Sequence, residues 1–377
     1  MNINLLGENM KTVIQRKKVP AVVFYYIPIS FAVTFVAFML LRFPETAAQG
    51  ISDGVDLSLG TLIPSLYPFM VLSTLIVELD LFKRIPAIAE SISRAVFGIS
   101  GKGIAVFILS LIGGLPLGCR MTSELYEKGE ISLCEGRRMM LFCYCCGPAF
   151  TISSLGLYML GSKQAGMIIY LSLILSALTV GILSRFFGEE DDYRLSRKTT
   201  SESDGFSVSF VRAVSSGSTG ILSVCAWVIL FSCINRLVEI LPMSDSFKLF
   251  FYSASEVTNG VYLSAGNLSL PIIAGIVGFG GLCGHCQVMP YVIKLRLKYK
   301  YFFTGRVVCA SLTAIYCELL LKFYPISYQV FSIGTAPQKS SLGISAVYSI
   351  SMLTTAGLFL LGDSAVFRIK QKKDHCI

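Results

Sequence analysis

The feature that most constrains this chain is a series of apolar stretches of about twenty residues that carry almost no charge. A hydrocarbon core of ~30 Å needs roughly 20 apolar residues to cross as a helix. Segments of that kind run over 20–41, 57–77, 139–161, 165–187, 219–241, 302–323 and 343–361. Only 15% of the 377 residues are charged and 54% are hydrophobic, against roughly 25% charged in a soluble globular chain. The reading is an all-α polytopic membrane protein. The net charge of +9 then reflects basic loops on one side of a bilayer, and no basic patch argues for nucleic acid. The polar, basic stretch 1–18 precedes an apolar run too long for a signal-peptide core, so a retained first span is expected. The twelve cysteines fall largely inside apolar runs, where they read as small membrane residues and not as a secreted disulfide framework.

Two further apolar stretches, 103–119 and 270–289, are interrupted by glycine and proline: Gly113-Gly114-Leu115-Pro116-Leu117-Gly118 in the first, and Gly275, Gly278, Gly280, Gly281 and Gly284 in the second. Backbone left unpaired against lipid costs several kcal/mol, so broken helices survive only where protein or a wet cavity receives them. Both stretches are expected to be re-entrant hairpins, which brings the count to about seven to nine membrane segments. Amphipathic stretches, 78–102 and 121–138, lie between spans and are expected in the interface plane or beneath the bundle. The two glycine-rich runs align with one inserted residue and have flanking elements in the same order. This gives an organisation of an N-terminal basic segment and first span (1–56), a first repeat (57–187), a polar linker (188–206), a second repeat (207–361) and a basic tail (362–377). Three crossings plus a hairpin per repeat is an odd count, so the repeats are expected to be inverted, a recurring transporter design. Loop charge agrees in the first half, where Lys11, Arg16, Lys83, Arg94, Lys102, Arg185 and Arg194 share a side and Glu45, Asp53 and Asp56 lie opposite. In the inverted arrangement Lys294, Arg296, Lys298 and Lys300 fall on the far side. If 270–289 crosses fully instead, they return and the repeat symmetry is lost.

Several side chains suggest chemistry. Arg120 follows the first hairpin, where it either neutralises an anionic substrate or snorkels and pairs with Glu124 four residues on. In the run 142–150, Gly147-Pro148 breaks its span after Tyr144 and Cys145, freeing carbonyls for a ligand or a neighbouring helix. Glu256 and Asn259 occupy a polar island, and His285 and Gln287 lie in the second hairpin; these four are the groups most expected to converge on a solute. The blander readings are a solvated loop acid for Glu256 and a satisfied buried histidine for His285. Cys283-Gly284-His285-Cys286 resembles the redox motif of disulfide isomerases, but it follows an apolar run and lacks the strand and exposed helix start that chemistry needs. Together with Cys143, Cys145 and Cys146 it offers soft-metal ligands of weak spacing. Arg306 and Glu318 lie within 302–323, with Glu318 and Lys322 four apart as a snorkelling pair.

The motifs Gly114-Leu115-Pro116-Leu117-Gly118-Cys119-Arg120, Leu125 to Ser132, Cys143 to Phe150, Glu256 to Gly260 and Gly278 to Gln287 resemble the YlbJ-type sporulation integral membrane proteins, in order over roughly residues 57–320. The resemblance implies two nucleoside-recognition, or Gate, regions and a plan similar to concentrative nucleoside transporters. It also implies a role in endospore formation, moving dipicolinic acid across the membrane around the developing spore. Carried over, Gly114, Pro116, Gly118, Arg120, Glu256, Gly280, Gly281, His285 and Gln287 line the pathway. The chain departs from the family where paired asparagines give way to Tyr144 and Cys145. Gate regions also occur in ferrous-iron transport proteins, but no GTPase part and no phosphate loop is present.

The expectation is therefore an alternating-access carrier in the cell membrane or the mother-cell-derived membrane around the forespore. It is not expected to be an enzyme, and no cofactor or resident metal is expected. Hairpin N-termini and Arg120 would hold carboxylates and Tyr144 would stack on a ring. Alternatives are a nucleoside carrier, a soft-metal or ferrous-iron carrier using the cysteines, a thiol redox enzyme, and a sporulation scaffold that transports nothing. Expected partners are the lipid bilayer, a small-molecule anion or nucleoside, and further copies of the chain.

Overall fold

The computed structural model describes residues 21–79, 86–186, 205–264 and 268–326. Their regular structure is helical throughout. In chain order come α1 (Ala21–Arg42), α2 (Pro44–Leu57), a π-helical turn (Ser58–Leu62), α3 (Ile63–Glu78), α4 (Ala87–Val96), α5 (Gly101–Gly113), α6 (Leu117–Glu127) and α7 (Leu133–Phe142). A π-helix (Ala149–Met159) follows, then α8 (Lys163–Ser184), α9 (Phe206–Glu239), α10 (Asp245–Ser255), α11 (Val257–Ser264), α12 (Leu270–Phe279), α13 (Gly281–Lys294) and α14 (Tyr299–Phe323). Local chemistry sets many of the starts. Ser100, Ser132, Ser162 and Ser244 each accept a backbone N–H from the first turn of the helix they precede, which satisfies one of the donors a helix leaves open there.

Among the described residues, α8, α9, the pair α12–α13 and α14 are long and apolar enough to cross a membrane. Two bent pairs, one joining α1 to α2 at 100° and one joining α4 to α5 at 83°, raise the number to six. The described residues thus carry four to six spans by length and composition, against the seven to nine segments read from the whole sequence, with 343–361 outside the described residues. Two of the expected spans are not uninterrupted α-helices. The segment 57–77 is a π-turn followed by the 16-residue α3, and 139–161 is divided between α7, an open stretch and the π-helix.

Packing forms two groups of helices. α9 lies along α2 and α3, while α14 lies along α8 and α12 and the π-helix packs on α8. Small residues permit the first contact: a Cβ on Gly50 would come within 2.7 Å of the Cys233 Cα, and one on Gly54 within 2.7 Å of the Ile229 Cα, the close backbone approach favoured between membrane helices. Between the two groups sits a core in which Phe97, Phe107 and Phe142 meet edge-on and stacked.

The two broken segments are not alike. α5 and α6 pack against each other across Gly114-Leu115-Pro116, as a hairpin should. The second segment does not turn back: α12 and α13 run on as one 25-residue apolar element, Leu270–Lys294, with a one-residue break at Gly280. The expectation of a second re-entrant hairpin is corrected accordingly. The physical consequence is seen in the charges. Lys294 pairs with Glu127 at 2.7 Å, and Arg137 Nε donates to the Leu295 carbonyl at 3.0 Å. Arg138 donates to the Gly98 carbonyl, Arg185 to the Ala95 carbonyl, and Lys102 pairs with Glu130. Basic residues of both halves therefore share one end of the bundle. Asp53, Arg236, Glu239 and Lys248 form a separate cluster at the far end of α9. The full crossing has replaced the inverted placement of Lys294 and Arg296. Residues 1–20, the linker over 187–204, the basic tail 362–377, and with them Lys11, Arg16, Lys83 and Arg194, lie outside the described residues.

A cavity ringed by helix breaks

Four interruptions of the helices come together around one cavity of about 130 Å³. The first is Gly114-Leu115-Pro116, where Gly114 takes φ 74°. The second is the open stretch 143–148. These two meet backbone to backbone, since a Cβ on Gly114 would stand 2.8 Å from the Gly147 N. Gly118 seats α6 on the same stretch, with the Cys143 carbonyl where its Cβ would be. The third break is Glu256, in extended conformation between α10 and α11, and its Oε1 accepts the Thr258 N–H at 2.9 Å. The fourth is Gly280, at φ 83°.

Each break contributes to the cavity wall: Gly114 and Leu115, Cys146 and Gly147, Glu256 and Thr258, and then Gly280, Cys283, Gly284 and Gln287. Phe69 of α3 and Val224 and Val228 of α9 supply an apolar side. The π-helix, α11 and α13 all begin at this wall. A helix start carries about half a positive elementary charge and N–H groups with no partner in the helix, so three such starts favour an anionic group. Against them stands Glu256, the one carboxylate among the described lining residues.

Of the residues expected to bind a solute, Gly114, Gly147, Glu256, Gly280 and Gln287 line the cavity. Asn259 is on α11, with its side chain outside the described set. Pro116, Gly118, Arg120, Tyr144, Pro148, Gly281 and His285 are not in the lining. Pro116 and Pro148 precede the first residues of α6 and of the π-helix, where a missing N–H costs little. Arg120 is 2% exposed. Its Nε pairs with Glu124 at 2.9 Å, and its Nη2 donates to the hydroxyls of Thr74 and Ser216. That tie among α3, α6 and α9 is the structural alternative stated for it above.

Tyr144 and His285 are also fully enclosed. The Tyr144 hydroxyl donates to the Gly280 carbonyl at 3.1 Å, and its ring carries the Arg306 guanidinium at 4.3 Å. His285 Nε2 lies 3.0 Å from the Phe279 carbonyl, so it carries the proton there, and Nδ1 then accepts from the Tyr299 hydroxyl at 3.2 Å. His285 is thus the satisfied buried histidine. Arg306 is a residue whose role the sequence reading left unassigned. It is 2% exposed and reaches the carbonyls of Gly278 and Leu141. Its signal in the sequence was an arginine placed among apolar residues of a span, which is costly unless it is received by polar groups.

The cysteines gather without forming a ligand set. Among the described residues eleven cysteines are free thiols, and no three His, Cys, Asp or Glu side chains converge in a way that would hold a metal ion. Cys283 and Cys286 are both free, and the Gln287 amide donates to Cys283 Sγ at 3.4 Å.

Fold and cavity define an integral membrane protein of the all-helical class, built around an internal chamber of broken helices. No family model matches the chain, and no solved structure matches it. It is similar to the protein named Sporulation integral membrane protein YlbJ of Bacillus subtilis (strain 168), at 24% identity over 329 residues covering 76% of this chain and 81% of the relative. That likeness bears out the YlbJ-type resemblance carried by the motifs.

Proposed function

We propose that this chain is a carrier, and not an enzyme, that moves a small anionic heteroaromatic solute, dipicolinate, across a membrane of the sporulating cell by alternating access. The observation that carries the reading is the meeting of four helix breaks at one cavity. Open backbone inside a membrane protein is kept where it lines a path or a site, and three helix starts at the wall suit a carboxylate. The printed name of the Bacillus relative supports a sporulation role. In this reading the carboxylates meet backbone N–H groups and the Gln287 amide, while Phe69, Val224 and Val228 receive the ring. Arg120 and Tyr144, engaged elsewhere, hold the frame.

Uptake of labelled dipicolinate into proteoliposomes tests this. Saturable flux is expected, competed by unlabelled dipicolinate and little by a nucleoside. Gln287→Ala should raise KM by roughly tenfold, the worth of one hydrogen bond near 1.4 kcal/mol. A folded protein giving no flux under proton, sodium and potassium gradients would overturn the reading in favour of a scaffold.

A further inference from the structure

An α-helix closes each carbonyl with the N–H four residues on. At Gly280 that pattern stops. The Gly280 N–H reaches the Ile276 carbonyl at 3.2 Å, Gly280 and Gly281 take φ of 83° and 64°, and α13 starts anew at Gly281. The carbonyls of Val277, Gly278 and Phe279 have thereby lost the N–H groups of Gly281, Leu282 and Cys283. Side chains take their place. Arg306 Nη2 donates to the Gly278 carbonyl, His285 Nε2 donates to the Phe279 carbonyl at 3.0 Å, and Cys146 Sγ lies 4.0 Å from the Val277 carbonyl. The displaced N–H groups belong to the stretch that walls the cavity at Gly280, Cys283 and Gly284.

We propose that α12 and α13 form a two-state helix. In the broken state seen here, Arg306 and His285 stand in for backbone donors. In the other state the N–H groups of Gly281, Leu282 and Cys283 close on the carbonyls of Val277, Gly278 and Phe279, and the helix is continuous. Both states supply donors to the Gly278 and Phe279 carbonyls, and in the continuous state Arg306 keeps the Leu141 carbonyl and the face of the Tyr144 ring while the His285 Nε2 proton turns to another acceptor. Glycine at both 280 and 281 makes the exchange sterically free, because only glycine takes φ near +60° to +80° without a Cβ penalty and still enters a helix. Arg306 is the positioning residue. It also donates to the Leu141 carbonyl at 3.4 Å, at the end of α7 where the open stretch 143–148 begins, so one guanidinium holds two of the four breaks. Continuity would withdraw the free N–H groups from the cavity wall. That link to solute access rests on the carrier reading; the helix exchange does not.

Hydrogen–deuterium exchange of the whole chain in nanodiscs, followed by mass spectrometry, separates the two. Wild-type amides at 281–283 should exchange faster than those of α8. Gly281→Ala favours the continuous helix, both by helix propensity and by the cost of alanine at positive φ, and should slow exchange at 281–283 by at least about tenfold while α8 is unchanged. Arg306→Lys keeps the charge but cannot span both carbonyls, and should slow the same amides. A purely structural arginine would instead speed exchange throughout α12, α13 and α14. Wild-type amides at 281–283 as protected as α8, or unchanged exchange at 281–283 in either folded variant, would overturn the proposal. Neither result depends on whether dipicolinate is carried.

Discussion

Several basic side chains in this protein serve helix ends. Lys128 donates to the Val77 carbonyl beyond which α3 stops, Lys248 to Glu239 at the end of α9, Arg137 to Leu295 and Arg296 at the end of α13, and Arg306 to Leu141 and Gly278. Each satisfies carbonyls that the helix leaves open and meets the negative end of its dipole. Arg120 is instead tied to Glu124 deep in the fold, and the consequence can be measured. Arg120→Gln leaves the partly buried Glu124 without its ion-pair partner and should cost about 2–4 kcal/mol of stability, read as a lowered melting temperature, whereas Gln287→Ala should leave melting unchanged and alter uptake. Glycine sites divide in the same way. Gly114→Ala meets both positive φ and the Gly147 backbone and should lower melting by several degrees, while Gly60→Ala, with open space around it, should leave it at the wild-type value.

At the scale of elements, the long apolar runs were readable because they depend on residues close in sequence. The segments 165–187 and 302–323 correspond to α8 and α14 within three residues at each end. The second broken segment was misread because its glycines signal a break without saying how far the chain turns. Gly114 is followed by Leu115 and Pro116 before α6 starts, whereas a single residue, Gly280, separates α12 from α13. The angle depends on what receives the break, here Arg306, His285 and Tyr144. The topology that follows is testable. In sealed vesicles of one orientation, Lys294→Cys and Lys128→Cys should react with an impermeant maleimide from the same side. Reaction from opposite sides would restore a re-entrant second segment. The Lys294–Glu127 pair itself is about half exposed, so Glu127→Gln should change stability by less than about 1 kcal/mol.

For the molecule as a whole, the arrangement places four breaks at one chamber and gathers basic residues at one end, the end expected to face the cytoplasm. The chamber's electrostatics are mixed, with three helix starts opposed by Glu256. Removing that carboxylate should tighten a dicarboxylate in the proposed carrier, so Glu256→Gln is expected to lower the KM for dipicolinate several-fold; a raised KM would show that the carboxylate itself takes part in binding, and an unchanged one that it does not face the solute.

Membrane residence, helical class, three of the four helix breaks and the YlbJ-type motifs were determined by the sequence alone. They follow from hydropathy over about twenty residues and from glycine and proline at particular positions, all of them local properties. Which of the marked residues share a chamber was decided only by tertiary structure. Gly114, Gly147, Glu256, Gly280 and Gln287 meet there, while Arg120, Tyr144 and His285 are drawn to unsatisfied groups elsewhere. A buried polar side chain goes to the nearest open donor or acceptor, and those appear only once distant helix ends have been brought together.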